Sequence, residues 1–227
     1  LAIKMTLYRT EVGSPVVTAL LDAARAGKEV TAVVELRARF DEAANIDLAT
    51  RLQEAGANVA YGVVGFKTHA KMLLIVRRES RRLRRYVHLG TGNYHTGTSR
   101  AYTDVGFLTA DPVIGEDVHQ LFVQLTGLGK VRPTQRVLQS PFTLRDALCA
   151  LIEAETQHAR AGRPARIVAK MNSLSDPGVI RALYEASQAG VEIDLLVRGL
   201  CCLRPQVPGV SEKIRVRSIV GRFLEHS

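Results

Sequence analysis

An imidazole and an ammonium stand two residues apart in His69-Ala70-Lys71. At the start of a strand, residues i and i+2 point to the same side and can meet one anionic group together. A neutral imidazole is a competent nucleophile at phosphorus, and Lys71 would neutralise charge on the transferred group in a reaction limited mainly by positioning and electrostatics. Taken alone, an H-x-K triplet is more often a strand-edge histidine beside a solvated lysine. Downstream, His88-Leu89-Gly90-Thr91-Gly92-Asn93 follows the strand-like run Arg85-Tyr86-Val87. Gly90 and Gly92 would let backbone N–H groups approach an oxyanion, and Asn93 can donate a side-chain hydrogen bond. By itself G-T-G-N is a tight turn; behind H-x-K it becomes a phosphate signal. Lys67 alternates with His69 and Lys71 and would line the same face.

These residues need elements to hold them, and an internal repeat supplies the plan. The first copy opens with Ile3 to Arg9 and starts a helix at Ser14-Pro15 that carries Val16, Leu20, Leu21 and Ala24 on one face and ends at Ala26-Gly27. The second opens with Ala165 to Asn172, starts a helix at Asp176-Pro177 and ends it at Ala189-Gly190, so that Leu20 aligns with Leu183 and Gly27 with Gly190. A buried parallel strand follows in each, Glu29 to Glu35 and Glu192 to Arg198. Further strands are expected at Asn58 to Gly65 and Ile214 to Gly221, each ending in Val-Gly and reaching a histidine a few residues on, His69 or His226. The fold class is therefore α/β, with two domains of βαβ units on mostly parallel sheets. Their expected extents are 1–132 and 133–227, joined through Pro133 to Phe142, a helix from Leu144 to His158 and the Gly162-Arg163-Pro164 link. The arginines at 77, 78, 81, 82, 84 and 85 cluster in an expected hairpin loop, either as a solvated run or as a guide for a polyanion.

Composition narrows the partner. The 227 residues are 46% hydrophobic, enough to bury one large core or two smaller ones. Lys plus Arg number 31 against 22 Asp plus Glu, a net charge of +9 that suits an anionic partner: nucleic acid, phosphates or an acidic membrane surface. Six Phe, six Tyr and no Trp leave few platforms for stacking bases, so phosphate without base readout fits better. Cys149 and the adjacent Cys201 and Cys202 offer neither a disulfide framework nor metal-ligand spacing, which points to a reducing cytosol. No apolar run approaches the ~18 residues a membrane span needs. Leu1 at one end and a strand-like Phe223 to Ser227 at the other suggest a piece of a longer chain, with a second domain expected to be incomplete and the piece alone inactive.

H-x-K followed by a G-[ST]-x-N element, in a duplicated α/β protein, resembles the phospholipase D superfamily. That superfamily usually has Asp five residues after the Lys, whereas this chain has Val76, which argues against hydrolysis of lipid or nucleic-acid diesters. Longer stretches are similar to one branch: Met5 to Arg9, Ala38 to Ile46, Lys67 to Lys71, His88 to Tyr94, Ala101 to Asp104, Leu196 to Gly199 and Ser218 to His226. They resemble the two C-terminal catalytic domains of polyphosphate kinases of the first type, and the resemblance covers essentially the whole chain.

The resemblance implies reversible transfer of the terminal phosphoryl group of ATP to inorganic polyphosphate through a phosphohistidine. It implies His69 as the phosphorylated nucleophile, with Lys71 beside it, and His226 as a facing histidine in proton or phosphoryl handling. It implies Arg9 and Arg39 at a Mg²⁺ and phosphate site, and Tyr102 and Arg198 near the nucleotide or phosphate chain. Arg9 and Arg198 also fall near C-terminal strand ends, where open parallel sheets bind ligands, although Arg9 could equally be a surface ion-pair partner. Arg39 could instead pair with Asp41 or Glu42. A guanidinium is a poor Mg²⁺ ligand, so any metal link would run through phosphate oxygens. The expected partners are ATP or ADP and polyphosphate, with no specific nucleic acid. A homo-oligomeric full-length enzyme in the cytoplasm, with peripheral membrane association, completes the expectation. The alternatives are diester hydrolysis and a non-catalytic phosphate-binding module. His88, His95 and His158 carry no assignment beyond structure or solvent.

Overall fold

The computed structural model describes residues 1–8, 13–35, 42–63, 65–127 and 132–227. It divides into two compact units, Leu1–Val137 with His226, and Leu138–Glu225 with Ser227.

The first unit runs β1 (Ala2–Leu7), α1 (Pro15–Arg25), β2 (Glu29–Val34), α2 (Glu42–Glu54), β3 (Asn58–Ala60), β4 (Lys71–Glu79), β5 (Arg82–Gly90), α3 (Thr96–Ser99), β6 (Tyr102–Thr103), β7 (Gly106–Thr109) and α4 (Pro112–Thr126). Six strands form one sheet in the order β3-β2-β1-β4-β5-β7. Strands β1, β2 and β3 are parallel, as expected, whereas β4, β5 and β7 join antiparallel. The expectation of a mostly parallel sheet thus holds for half of this one. The reason lies in the connections. A parallel neighbour needs a crossover of about a dozen residues, normally a helix. Among the described residues no helix separates β3 from β4, and β4 turns into β5 through Ser80-Arg81, with Ser80 at φ 54°. Of the arginines expected in the hairpin loop only Arg81 lies in the turn; Arg77 and Arg78 belong to β4 and Arg82, Arg84 and Arg85 to β5, because the ladder runs to the tip.

Alternation along the strands sends side chains to two cores. Met5, Leu7, Val30, Ala32 and Val34 face α1 and α2, where Leu20, Leu21, Leu48 and Leu52 are buried. Val33, Met72, Leu74 and Val87 face α4, with Val118 and Phe122. On α1 the buried face is Val17, Leu20, Leu21 and Ala24, so Val17 is buried where Val16 was expected, and Val16 packs at its margin. Helix α4 is stopped at both ends by its own chemistry: Asp111 accepts from the N–H groups of Val113 and Ile114, and Gly127 takes the left-handed conformation at φ 65°.

The second unit runs α5 (Leu144–Arg160), β8 (Arg166–Met171), α6 (Pro177–Gln188), β9 (Glu192–Val197), β10 (Ile214–Arg217) and β11 (Leu224–Glu225). Its three-stranded sheet, β10-β9-β8, is wholly parallel. Ile193, Leu195 and Val197 pack against Val179, Leu183 and Ala186 of α6 and Ile152 of α5. Leu20 and Leu183, aligned by the repeat, are both core residues. On the other face of β9, Asp194 bridges Arg166 at 3.0 Å and Arg215 at 2.8 Å.

Strands β3 and β10 are shorter than expected. Ala60 pairs with Val33 and Arg217 with Leu196, one residue short of the last residues of β2 and β9, so each edge strand stops where its neighbour runs out. His69 therefore follows connecting chain rather than the end of β3, and His226 directly follows the short β11 rather than β10.

Candidate functional site

His69 is exposed and sits two residues before β4, while Lys71, the first residue of that strand, is only 5% exposed. Lys71 Nζ lies 3.0 Å from His69 Nε2. An ammonium has donors only, so in this contact Lys71 donates and Nε2 must carry a lone pair, leaving the ring proton on Nδ1. The expected pairing of imidazole and ammonium is present, in the tautomer a nucleophile needs. Tyr8 completes the cluster: its ring stands edge-on to His69 at 4.9 Å between centroids, and the Lys67 and Lys71 ammonium groups each lie 5.2 Å from its centroid.

Sheet register brings the glycine element to the same place, because Lys71 pairs with Gly90 across β4 and β5. Gly90 was expected in the loop; it is instead the last residue of β5, also paired with Gly106 of β7. The turn itself is Thr91-Gly92-Asn93. A Cβ on Gly92 would collide with the Asp104 carboxylate, so only glycine permits that approach. Thr91 donates its hydroxyl to Asp104 Oδ1 at 3.1 Å and accepts from the Val105 N–H at 3.0 Å. Asn93 Oδ1 is buried and has no hydrogen-bond partner among the described residues. Asn45 Oδ1 is in the same state.

His226 groups with this unit and meets Asp104. Its Nδ1 donates to Asp104 Oδ1 at 2.6 Å, and its backbone N–H donates to the Thr103 carbonyl at 3.2 Å. A carboxylate only accepts, so Nδ1 carries a proton in this contact. The half-buried Tyr102 ring is 5.1 Å from that imidazole. Arg198 follows the last residue of β9, as expected, and is half-buried, its N–H donating to the Met171 carbonyl at 3.3 Å. Arg9 and Arg39 lie outside the described residues.

Sequence reasoning gave His88 no role, yet it stands between the glycines. Its ring lies so close to Gly106 that a Cβ there would come within 2.8 Å of Nε2. His88 Nδ1 shares a 2.8 Å hydrogen bond with the Tyr94 hydroxyl. Burial pushes the His88 imidazole down and the Tyr94 phenol up, so both stay neutral. Asp104 ends the Ala101 to Asp104 stretch with no role expected from sequence, and its two partners, Thr91 and His226, are far apart in sequence. Glu35 was passed over as the end of an apolar run. It is 5% exposed and accepts the Thr68 N–H at 2.7 Å, next to the nucleophile candidate. Val76, where the phospholipase D superfamily has Asp, packs against the α4 core.

Among the described residues, no group of three His, Cys, Asp or Glu side chains could hold a metal ion. Also among the described residues, no helix is long and apolar enough to cross a membrane.

The family model "Polyphosphate kinase C-terminal domain 1" matches residues 1–131, and "Polyphosphate kinase C-terminal domain 2" matches residues 137–227. The chain is 69% identical over its full length to a polyphosphate kinase of Xylella fastidiosa and 65% identical to one of Pseudomonas aeruginosa, covering 32% and 33% of them. It therefore spans about a third of the length of the curated relatives it matches. The crystal structure of polyphosphate kinase from Porphyromonas gingivalis superposes with a TM-score of 0.88 at 40% identity, over 99% of this chain and 37% of that one. By these matches across both units, the chain belongs to the polyphosphate kinase family.

Proposed function

We propose that this chain carries the phosphoryl-transfer centre of an ATP:polyphosphate phosphotransferase, with His69 as the residue phosphorylated in turn. The observation that carries this reading is the 3.0 Å contact between Lys71 Nζ and His69 Nε2, which leaves Nε2 as the lone-pair nitrogen on an exposed ring. His69 Nε2 attacks the γ-phosphorus of ATP, the P–N bond forms, and the bond to the bridging oxygen breaks with its electron pair leaving on ADP. A terminal oxygen of polyphosphate then attacks the same phosphorus, and the P–N electron pair returns to Nε2. Lys71 neutralises charge on the transferring group, and the Gly92-Asn93 turn, beside Gly90, offers polar groups to the phosphate chain. His226, oriented by Asp104, presents Nε2 for proton handling, with Tyr102 beside it. Arg198, Arg9 and Arg39 are assigned to nucleotide and phosphate binding on family resemblance. Mg²⁺ would arrive as part of the nucleotide substrate, held by its phosphate oxygens.

The fold reading within this proposal is a pair of phospholipase D-like βαβ domains, divided near residue 132. Cytoplasmic location, peripheral membrane association and homo-oligomerisation of the full-length enzyme belong to the same proposal. Val76, packed in apolar surroundings, gives no support to diester hydrolysis. The test is to incubate the full-length protein and its His69→Ala variant with γ-labelled ATP and look for acid-labile labelled protein. The parent should label and the variant should not, with the fold retained because His69 is exposed. Labelling of a folded His69→Ala variant defeats the assignment, and an unlabelled parent leaves a phosphate-binding module.

A further inference from the structure

The backbone around His69 is pinned on both sides by side chains that reach it from the two central parallel strands. On the N-terminal side, Thr68 N–H donates to Glu35 Oε2 at 2.7 Å. On the C-terminal side, the Thr6 hydroxyl donates to the Ala70 carbonyl at 2.7 Å and accepts from the Met72 N–H at 2.9 Å. Glu35 is itself held. Its N–H donates to the Leu7 carbonyl at 3.1 Å, extending the β1–β2 ladder, and its carbonyl accepts from Asn45 Nδ2 at 2.9 Å. Asn45 is 0% exposed and also reaches the Tyr8 carbonyl at 3.3 Å. Glu35 and Thr6 are both buried, whereas the ring they support is exposed.

A carboxylate at the end of an apolar strand is costly to bury unless its interactions compensate. Here one of them is a charge-assisted bond to a specific backbone N–H, the one preceding the nucleophile candidate. We propose that Glu35 is a positioning residue for phosphoryl transfer: its carboxylate oxygen sets the height of the His69 stem, so that Nε2 and Lys71 meet a phosphoryl group at reacting distance. The inference rests on His69 acting as the nucleophile. It concerns reach, so a side chain with an acceptor oxygen at the same distance should serve, and one shorter by a methylene should not. Shortening by one carbon withdraws the oxygen by about 1.5 Å. A displacement of about 1 Å at a reacting centre can cost on the order of 100-fold in rate.

The experiment uses the full-length enzyme with Glu35→Gln, Glu35→Asp and, as a control, His69→Ala, all first checked for fold by circular dichroism. Rapid-quench measurement gives the rate of phosphoenzyme formation, and steady-state assay gives kcat and KM for ATP. The expected order is parent, then Glu35→Gln within a few-fold, then Glu35→Asp lower by about 10- to 100-fold. The loss should fall on kcat, with KM for ATP changed less than about twofold, because the substrate contacts stay in place. Hydrogen exchange of the segment 66–72 should quicken in Glu35→Asp and not in Glu35→Gln, a readout available whatever the activity. A Glu35→Asp enzyme as fast as the parent overturns the inference. So does Glu35→Gln as slow as Glu35→Asp, which would make charge rather than reach the requirement, and so does a loss confined to KM. If His69→Ala still forms phosphoenzyme, the functional reading falls and this inference with it; if His69→Ala is dead and Glu35→Asp is fast, only the inference falls.

Discussion

Replacing Lys71 by Met separates the charge of this side chain from its packing. The ammonium is 3.0 Å from His69 Nε2 and 5.2 Å from the Tyr8 ring centroid, and the side chain is buried among β4 and its neighbours. Met fills a similar volume without the charge, so the fold should tolerate it and the thermal midpoint should move by only a few degrees. The chemical step should not tolerate it. Removing one preorganised donor aimed at developing transition-state charge typically costs about 10²- to 10³-fold, or about 2.7–4 kcal/mol. Most of this should appear in the rate of phosphoenzyme formation at saturating ATP, because Lys71 acts on the transferring group more than on nucleotide binding. Rapid-quench kinetics on full-length parent and Lys71→Met enzymes, at matched ATP saturation, is the assay. A Lys71→Met rate equal to the parent's would refute the charge-neutralising role. A faster rate would mean that Lys71 mainly occupies the Nε2 lone pair and holds the nucleophile back.

Two further outcomes follow from the ion pairs. Asp104→Asn should lower phosphoryl transfer by at least about tenfold while His69 still labels, since an amide no longer enforces the Nδ1–H tautomer of His226; full activity in that variant would remove the orienting role. Hydrogen bonds from Arg215 first, and then Arg166, hold the Asp194 carboxyl down at about 2 from an ordinary 3.8. A carboxyl depressed by folding stabilises fully above its unfolded value, and that stability is lost as the pH falls from about 4 towards about 2. Denaturant midpoints measured down that range should therefore fall more steeply for the parent than for Asp194→Asn, and parallel curves would contradict the pairing.

Much of this architecture was legible because the repeat writes it twice. Ser14-Pro15 and Asp176-Pro177 both start helices, and Gly27 and Gly190 both end them with positive φ. What escaped was decided between strands. The expected hairpin already made β4 and β5 antiparallel to each other, but that the pair joins β1 antiparallel depends on the connection before it. Gly90 looks like a loop residue in G-T-G-N and is drawn into the ladder by its pairing with Lys71 and Gly106. The site was half legible for the same reason. His69 and Lys71 are local, two residues apart, and their contact could be anticipated from spacing. Glu35 meets Thr68, Asp104 meets His226 and Thr6 meets Ala70 only after distant segments are brought together, and nothing in their own neighbourhoods announces it.

The two imidazoles are held by partners of opposite charge at opposite ring nitrogens. A cation at Nε2 of His69 requires a lone pair there, and an anion at Nδ1 of His226 requires a proton there. The difference appears once a phosphoryl group arrives. On His69 the incoming phosphorus takes the position that Lys71 occupied, so the ammonium must shift to the phosphoryl oxygens, where its charge is then needed. On His226 the carboxylate sits on the far side of the ring, and Nε2 can gain or lose a proton without breaking the Asp104 contact. A ring whose partner must move aside for the reacting atom suits covalent transfer, and a ring braced from behind suits repeated protonation. That asymmetry, more than the presence of two histidines, is why the proposed reaction gives His69 the nucleophile's role and His226 the supporting one.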